Sequence, residues 1–219
     1  MFAGHIGVAL ALTRADPRVN SGVLVTAALL LDIVLWAFVL IGWESVSIPA
    51  DFAASHQPEF VFPYSHGLAA TVFWSALAGA AGSRIYHASG NGWRAAVVIS
   101  AAVFSHWLLD AIVHRPELPL GGVASPKVGL GLWNWMPAAL VAEAALLFVG
   151  VYLAVRGSNL SRVRAIAVVT LGLMLLAFTI LGMTIAPAPP SAQAMAGSSL
   201  ATIVVICGLA SWIGRVEQV

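Results

Sequence analysis

Long apolar runs separated by short polar breaks dominate the chain. Stretches able to cross a hydrocarbon layer run at about 20–42, 64–86, 93–114, 131–155, 162–186 and 197–214. Between them lie helix breakers and charges: Asp16-Pro17, Pro49 to Pro63, Gly90-Asn91-Gly92, Pro116 to Lys127, Arg156-Gly157 and Pro187 to Pro190. The pattern predicts an all-α, polytopic transmembrane helix bundle of about six spanning helices. A shorter apolar run, Phe2 to Leu12, has no basic flank and contains His5, unlike a secretory signal. It predicts a retained N-terminal helix, re-entrant or interfacial. Nothing repeats at a fixed period, so 1–219 reads as one integral membrane domain.

Composition strengthens that reading. Of 219 residues, 60% are hydrophobic and 9% charged, where a soluble domain carries roughly 25% charged residues. Ten Lys/Arg and nine Asp/Glu are too few to clothe a water-soluble fold, so membrane lipid is the expected neighbour. The basic residues are scattered along the chain, which excludes a nucleic-acid footprint. The single cysteine, Cys207, lies in an apolar run and reads as a packing residue. Arg14 and Arg18, Arg84 and Arg94, Arg156, Arg162 and Arg164, and Arg215 fall in alternate connections or the tail. By the positive-inside rule these ends, the C-terminus among them, are expected to be cytoplasmic. Only the 115–130 loop breaks the rule, with Arg115 and Lys127 either solvated or serving a site.

Against this apolar background, ionisable residues within the spans stand out: Asp32, His66, His106, Asp110, His114 and Glu143, joined by His5. Charge in hydrocarbon costs at least a few kcal/mol, so such residues face a bundle interior and are paired or functional. On the helical rise, the groups from His5 to His66 lie ~13–27 Å from the arginine-bearing ends, which allows one shared site. The sharpest signal is Ser105-His106-Trp107-Leu108-Leu109-Asp110-Ala111-Ile112-Val113-His114. Spacings of four put His106, Asp110 and His114 on one helical face, which suits a divalent metal such as zinc. A His–Asp hydrogen bond that staples helices explains the same stripe. Taken alone, His66 reads equally as an interfacial histidine and His5 as a satisfied polar group, whereas Asp32 has no sequence neighbour to pair with. Glu143 reads as a neutral carboxyl or as a partner of the ligands. Trp133 and Trp135 suit an aromatic belt, with Trp43 and Trp93. Asn134 and Lys127 could orient an anionic substrate. Glu44, Asp51, His56 and Glu59 make the 43–63 loop acidic; a loop of about twenty residues can serve as a functional lid, but the favoured reading is solvated charge.

In this order His5, Asp32, Ser65-His66 and Ser105-His106 with Asp110 resemble the YdjM-like family, bacterial inner-membrane proteins assigned as metal-dependent hydrolases and associated with LexA regulation. That family has an N-terminal His, then Pro-Asp-x-Asp, His-Arg-Gly-x-Thr-His-Ser and Ser-His-x-x-x-Asp segments. The last matches fully; the others match at His5, Asp32 and His66. Leu31 replaces the proline, Val34 the second aspartate and Val61 the earlier histidine. Two family ligands are thus missing, and the resemblance implies one metal rather than two. Phe62-Pro63-Tyr64-Ser65-His66 and the segment from Lys127 to Asn134 mark a branch of its own. The resemblance covers 1–153 and leaves 162–219 as two additional helices.

The resemblance implies a metal-dependent hydrolase in a bacterial inner membrane, with His5, Asp32, His66, His106 and Asp110 as ligands to a divalent metal, expected to be zinc. Asp110 or Glu143 would act as base, with His114 and Asn134 supporting them. Access from the outer half of the membrane suits a lipid or lipid-linked substrate, with Lys127, Arg115 and Trp133 as its contacts. A proton- or metal-coupled transporter and a purely structural polar cluster are the competing expectations.

Overall fold

The computed structural model describes residues 1–157 and 160–214, so Arg215 lies outside the described residues. In chain order the elements are α1 (Ala3–Leu12), α2 (Ser21–Ala28), α3 (Leu30–Ile41), β1 (Ser45–Ser47), α4 (Phe52–Ser55), β2 (Glu59–Val61), α5 (Leu68–Ile85) and α6 (Gly92–Val113). After them come β3 (Leu118–Pro119), β4 (Lys127–Val128), a 3₁₀ turn (Leu132–Trp135), α7 (Met136–Gly157), α8 (Arg162–Thr184) and α9 (Ala192–Ile213). The strands form two small antiparallel pairs, β1 with β2 and β3 with β4, both in connections between helices.

The all-α, multi-pass character stands, with fewer clear spans than about six. Among the described residues, four helices are long and apolar enough to cross a membrane: α6, α7 extended back to Leu132, α8 and α9. A fifth results if α2 and α3 count as one span, but these two meet at a 52° bend. The stretch expected at 64–86 is helical as α5, yet its eighteen residues are diluted by Gly79, Gly82, Ser75, Ser83 and Arg84 and do not qualify. It packs along α6 as a hairpin, with Gly79 against Ser100.

The short N-terminal helix sits inside the bundle, not along its surface. Ala3, His5, Ile6 and Ala9 are fully buried, and α1 packs on α7, α2 and α6. Small residues permit this approach, since a Cβ at Gly150 would collide with the Gly7 carbonyl and one at Gly7 with the Leu146 carbonyl. The close crossing sets the depth at which His5 is held.

At the arginine-bearing end, the α1–α2 and α5–α6 connections are tied together. The buried Asp16 carboxylate accepts hydrogen bonds from Asn91 Nδ2, from the Arg18 backbone N–H and from Arg18 Nε, while Arg18 Nη2 donates to Asn91 Oδ1. Burial alone would raise the Asp16 carboxyl, but the bonds from Asn91 and Arg18 outweigh it and hold it below the ordinary carboxylate value. Asn20 begins α2 by accepting from Gly22 N–H, and Gly42, in a left-handed conformation, ends α3.

Two outcomes follow from this packing. Gly150→Leu is expected to lower the thermal unfolding midpoint in detergent sharply, whereas Gly208→Leu, whose Cβ meets nothing within 4 Å, leaves it unchanged. Because the Asp16 carboxyl is depressed on folding, its contribution is complete above about pH 4 and is lost as pH falls further. Denaturation midpoints measured from pH ~5 to ~3 should therefore fall less steeply for Asp16→Asn than for the native chain.

Candidate metal centre

Three separate segments bring their polar groups to α6. Asp110, fully buried, is the meeting point. Its Oδ1 lies 3.0 Å from the Met1 ammonium and 3.1 Å from His5 Nε2. Its Oδ2 lies 3.1 Å from His106 Nε2, 3.4 Å from His66 Nε2 and 3.8 Å from His114 Nε2. Asp32 Oδ1 stands 3.7 Å from the Nε2 atoms of both His66 and His106, which are themselves 3.1 Å apart. The His5 ring stacks on that of His106, with centroids 3.7 Å apart. Residues separated by a hundred positions thus converge on one point.

The bend between α2 and α3 helps to build this cluster. It turns the Ala28 carbonyl out of the helical ladder, where it lies 2.6 Å from His106 Nδ1. It also places Asp32 in the first turn of α3, whose free N–H groups favour an anion. An uninterrupted helix over 20–42, as the sequence suggests, would supply neither.

The far side of each ring fixes which nitrogen carries the proton. His106 Nδ1 faces the Ala28 carbonyl, which can only accept. His114 Nδ1 lies 2.6 Å from Glu117 Oε1, again an acceptor. His66 Nδ1 lies 2.8 Å from Ser65 Oγ, whose own proton goes to Glu44 Oε2 at 2.7 Å. The hydrogen-bond network therefore assigns the proton of all three neutral rings to Nδ1, leaving three bare Nε2 lone pairs aimed at the Asp110 carboxylate. Lone pairs of His66 and His106 only 3.1 Å apart repel unless a cation lies between them and the carboxylates.

The spacing fits such a cation. Donors about 2.0–2.1 Å from a tetrahedral ion stand roughly 3.3 Å from one another. His66 Nε2 and His106 Nε2 stand 3.1 Å apart, and each lies 3.1 to 3.7 Å from Asp110 Oδ2 and from Asp32 Oδ1. Two overlapping triads, His5–His106–Asp110 and Asp32–His66–His106, have ligand atoms within 4.8 Å of one another, so the buried His/Asp group could hold a metal ion. His5 serves the other carboxylate oxygen: with Nε2 donating to Asp110 Oδ1, it orients that ligand.

The remaining candidates fall into two sets. Glu143, buried on α7, accepts from Gly4 N–H at 3.1 Å, satisfying a free amide at the start of α1, and lines the cavity beside the cluster. His114 stands where α6 unwinds, and the Trp133 ring packs on it with centroids 4.2 Å apart. By contrast Lys127 and Asn134 are exposed, Arg115 is half-buried, and none of the three lines the cavity.

Sequence reading missed Glu117 and the pairing of Glu44 with Ser65, and it ranked solvated charge above a lid for the 43–63 loop. Glu44 is not solvated charge: it is buried and accepts from Tyr64 N–H, Ser65 N–H and Ser65 Oγ. Burial pushes its carboxyl up, and those hydrogen bonds oppose the rise. His56 is likewise buried and lines the cavity with Phe52, Pro58 and Phe60. Asp51 and Glu59 are exposed, as expected. His114 and Glu117 meet beyond the end of α6, where helical spacing does not apply, and nothing local links Glu44 to Ser65.

Ser65→Ala removes the hydroxyl that joins His66 Nδ1 to Glu44. Metal affinity, read by competition with a chromogenic chelator, is expected to fall about 10–100-fold with the fold retained. An unchanged affinity would mean that His66 needs no such anchoring.

No family model, curated protein or solved structure matches this chain.

Proposed function

We propose that the chain is a membrane-embedded metal-dependent hydrolase of a bacterial inner membrane, acting from the outer half of the bilayer on a lipid or lipid-linked substrate. One observation carries this reading: three histidines whose Nδ1 atoms are occupied turn their Nε2 atoms toward one buried carboxylate. Imidazole and carboxylate donors at these separations suit zinc. His66, His106, Asp110 and Asp32 would hold the ion, with His5 steadying Asp110. A divalent ion in this position supplies an activated water and polarises the bond to be cleaved.

His114 has the surroundings of a general base. Glu117 orients its ring at 2.6 Å, and the residue lines the cavity next to the ligands. Glu143 has one oxygen engaged by the start of α1, which favours a positioning role for it. The order of His5, Asp32, Ser65-His66 and Ser105-His106-Asp110 keeps the YdjM-like family as the proposed relation. The arginine distribution favours a cytoplasmic C-terminus.

The 52° break between α2 and α3 favours a second reading, because interrupted helices build ion sites in transporters. Elemental analysis of the purified protein tests both. Stoichiometric zinc is expected, lost in His106→Ala and weakened in the less buried Asp32→Asn, with helicity followed by circular dichroism to separate loss of metal from unfolding. Absence of metal from a folded native chain would sink the metal centre. Zinc flux into proteoliposomes would favour the transporter.

A further inference from the structure

The cavity over the cluster extends away from it, between the last two helices. It holds about 440 Å³, within the range of small-molecule sites. Its far wall is built by Phe178, Thr179 and Met183 of α8 and by Met195, Ser199 and Thr202 of α9. These helices touch each other only slightly, because α8 packs mainly on α7, whereas α9 packs mainly on α2 and α3. The residues between them therefore look into a gap instead of meeting across it. Phe178 marks the opening, for it lines the cavity, packs tilted against Phe2 with ring centroids 5.8 Å apart and is still 53% exposed. Both helices are long and apolar enough to span, so this gap faces hydrocarbon. The loop side is covered by Phe52, His56 and Pro58, tied down where Gln57 Nε2 donates to the Trp133 carbonyl.

The polarity of the cavity is equally informative. Among the described residues lining it there is no Lys or Arg, and the Met1 ammonium is held by Asp110 at 3.0 Å, while Asp32, Asp110 and Glu143 bring three carboxylates. One divalent ion would leave little positive charge for a phosphate. Three lining residues, His5, Trp133 and Thr179, carry a buried side-chain polar atom without a protein partner: Nδ1, Nε1 and Oγ1. Unsatisfied buried polar groups need an explanation, and a neutral hydrogen-bonding ligand is one.

We propose that the cavity binds a neutral acylglycerol-type lipid that enters sideways from the bilayer, its acyl chain lying in the gap between α8 and α9 and its ester or hydroxyl head beside the His/Asp cluster. The site deepens the lipid-hydrolase reading and rests on it for the role of the cluster. Charge selects the occupant: an anionic headgroup would sit against carboxylates with no Lys or Arg beside it, and the Met1 ammonium is already paired with Asp110. Lys127 and Arg115, outside the cavity, take no part in holding the head.

The test is photolabelling in phosphatidylcholine nanodiscs, with a diazirine in the acyl chain of diacylglycerol or of phosphatidylglycerol, and mass-spectrometric mapping of the adducts. Diacylglycerol is expected to label Met183 and Met195 at least tenfold above phosphatidylglycerol, which should mark only outward residues such as Met174, Phe178 and Val205. Gly182→Trp places a bulky ring in the cavity wall, where a Cβ meets no atom within 4 Å. It should abolish inner-wall labelling while bound zinc remains unchanged. Equal or stronger inner-wall labelling by phosphatidylglycerol, or adducts confined to outward residues with both probes, would overturn the proposal. Inner-wall labelling of a protein without metal would keep the lipid site and remove the hydrolase reading instead.

Discussion

A carboxylate buried among apolar helices has to be surrounded by donors or cations, and Asp110 is the group on which that demand falls most heavily. Its two oxygens face different partners. One takes the Met1 ammonium and His5; the other is met by the Nε2 atoms of His66, His106 and His114. Bare Nε2 lone pairs do not compensate the second oxygen, which calls for a cation between it and the histidines, so the packing of α1, the bend before α3 and the entry to α5 must all be held in register with α6. The Gly7–Gly150 crossing and the break at Leu29 are both read most simply as consequences of that demand.

The partners of the ligands do as much as the ligands. A histidine inside a bundle can rotate and can hold its proton on either nitrogen. Here Ala28, the Ser65–Glu44 pair and Glu117 occupy the outer nitrogens, which fixes both orientation and tautomer. Two of these anchors come from the non-helical connections between helices, where the backbone can turn sharply. The loops around the site are thus part of its construction, and the 52–60 segment closes over it as well.

The last two helices change character once the fold is seen. As sequence they are apolar additions beyond the metal-ligand motifs. In the bundle they form the far wall of the cavity, and the slight contact between them leaves a gap that leads from the cluster toward lipid. Chemistry supplied by the first part of the chain and access supplied by the last part meet in one space.

Hydropathy alone determined the helical, membrane-embedded class, because burial in hydrocarbon imposes a long and continuous pattern that any window detects. Rarity of charge in that pattern singled out His5, Asp32, His66, His106, Asp110, His114 and Glu143, since each ionisable group in a span demands a reason. What the sequence missed depends on backbone direction and on contacts between distant segments. The bend at Leu29 has no proline or glycine to announce it and arises where Ala28 and Asp32 are needed by the cluster. Glu44 looks like loop charge until the chain returns with Ser65 to bury it. Lys127, Arg115 and Asn134, plausible by position along the chain, fall outside the cavity once the 115–135 connection folds. Only the tertiary structure decided these points, because spacing along a helix fixes which residues share a face but not what that face meets.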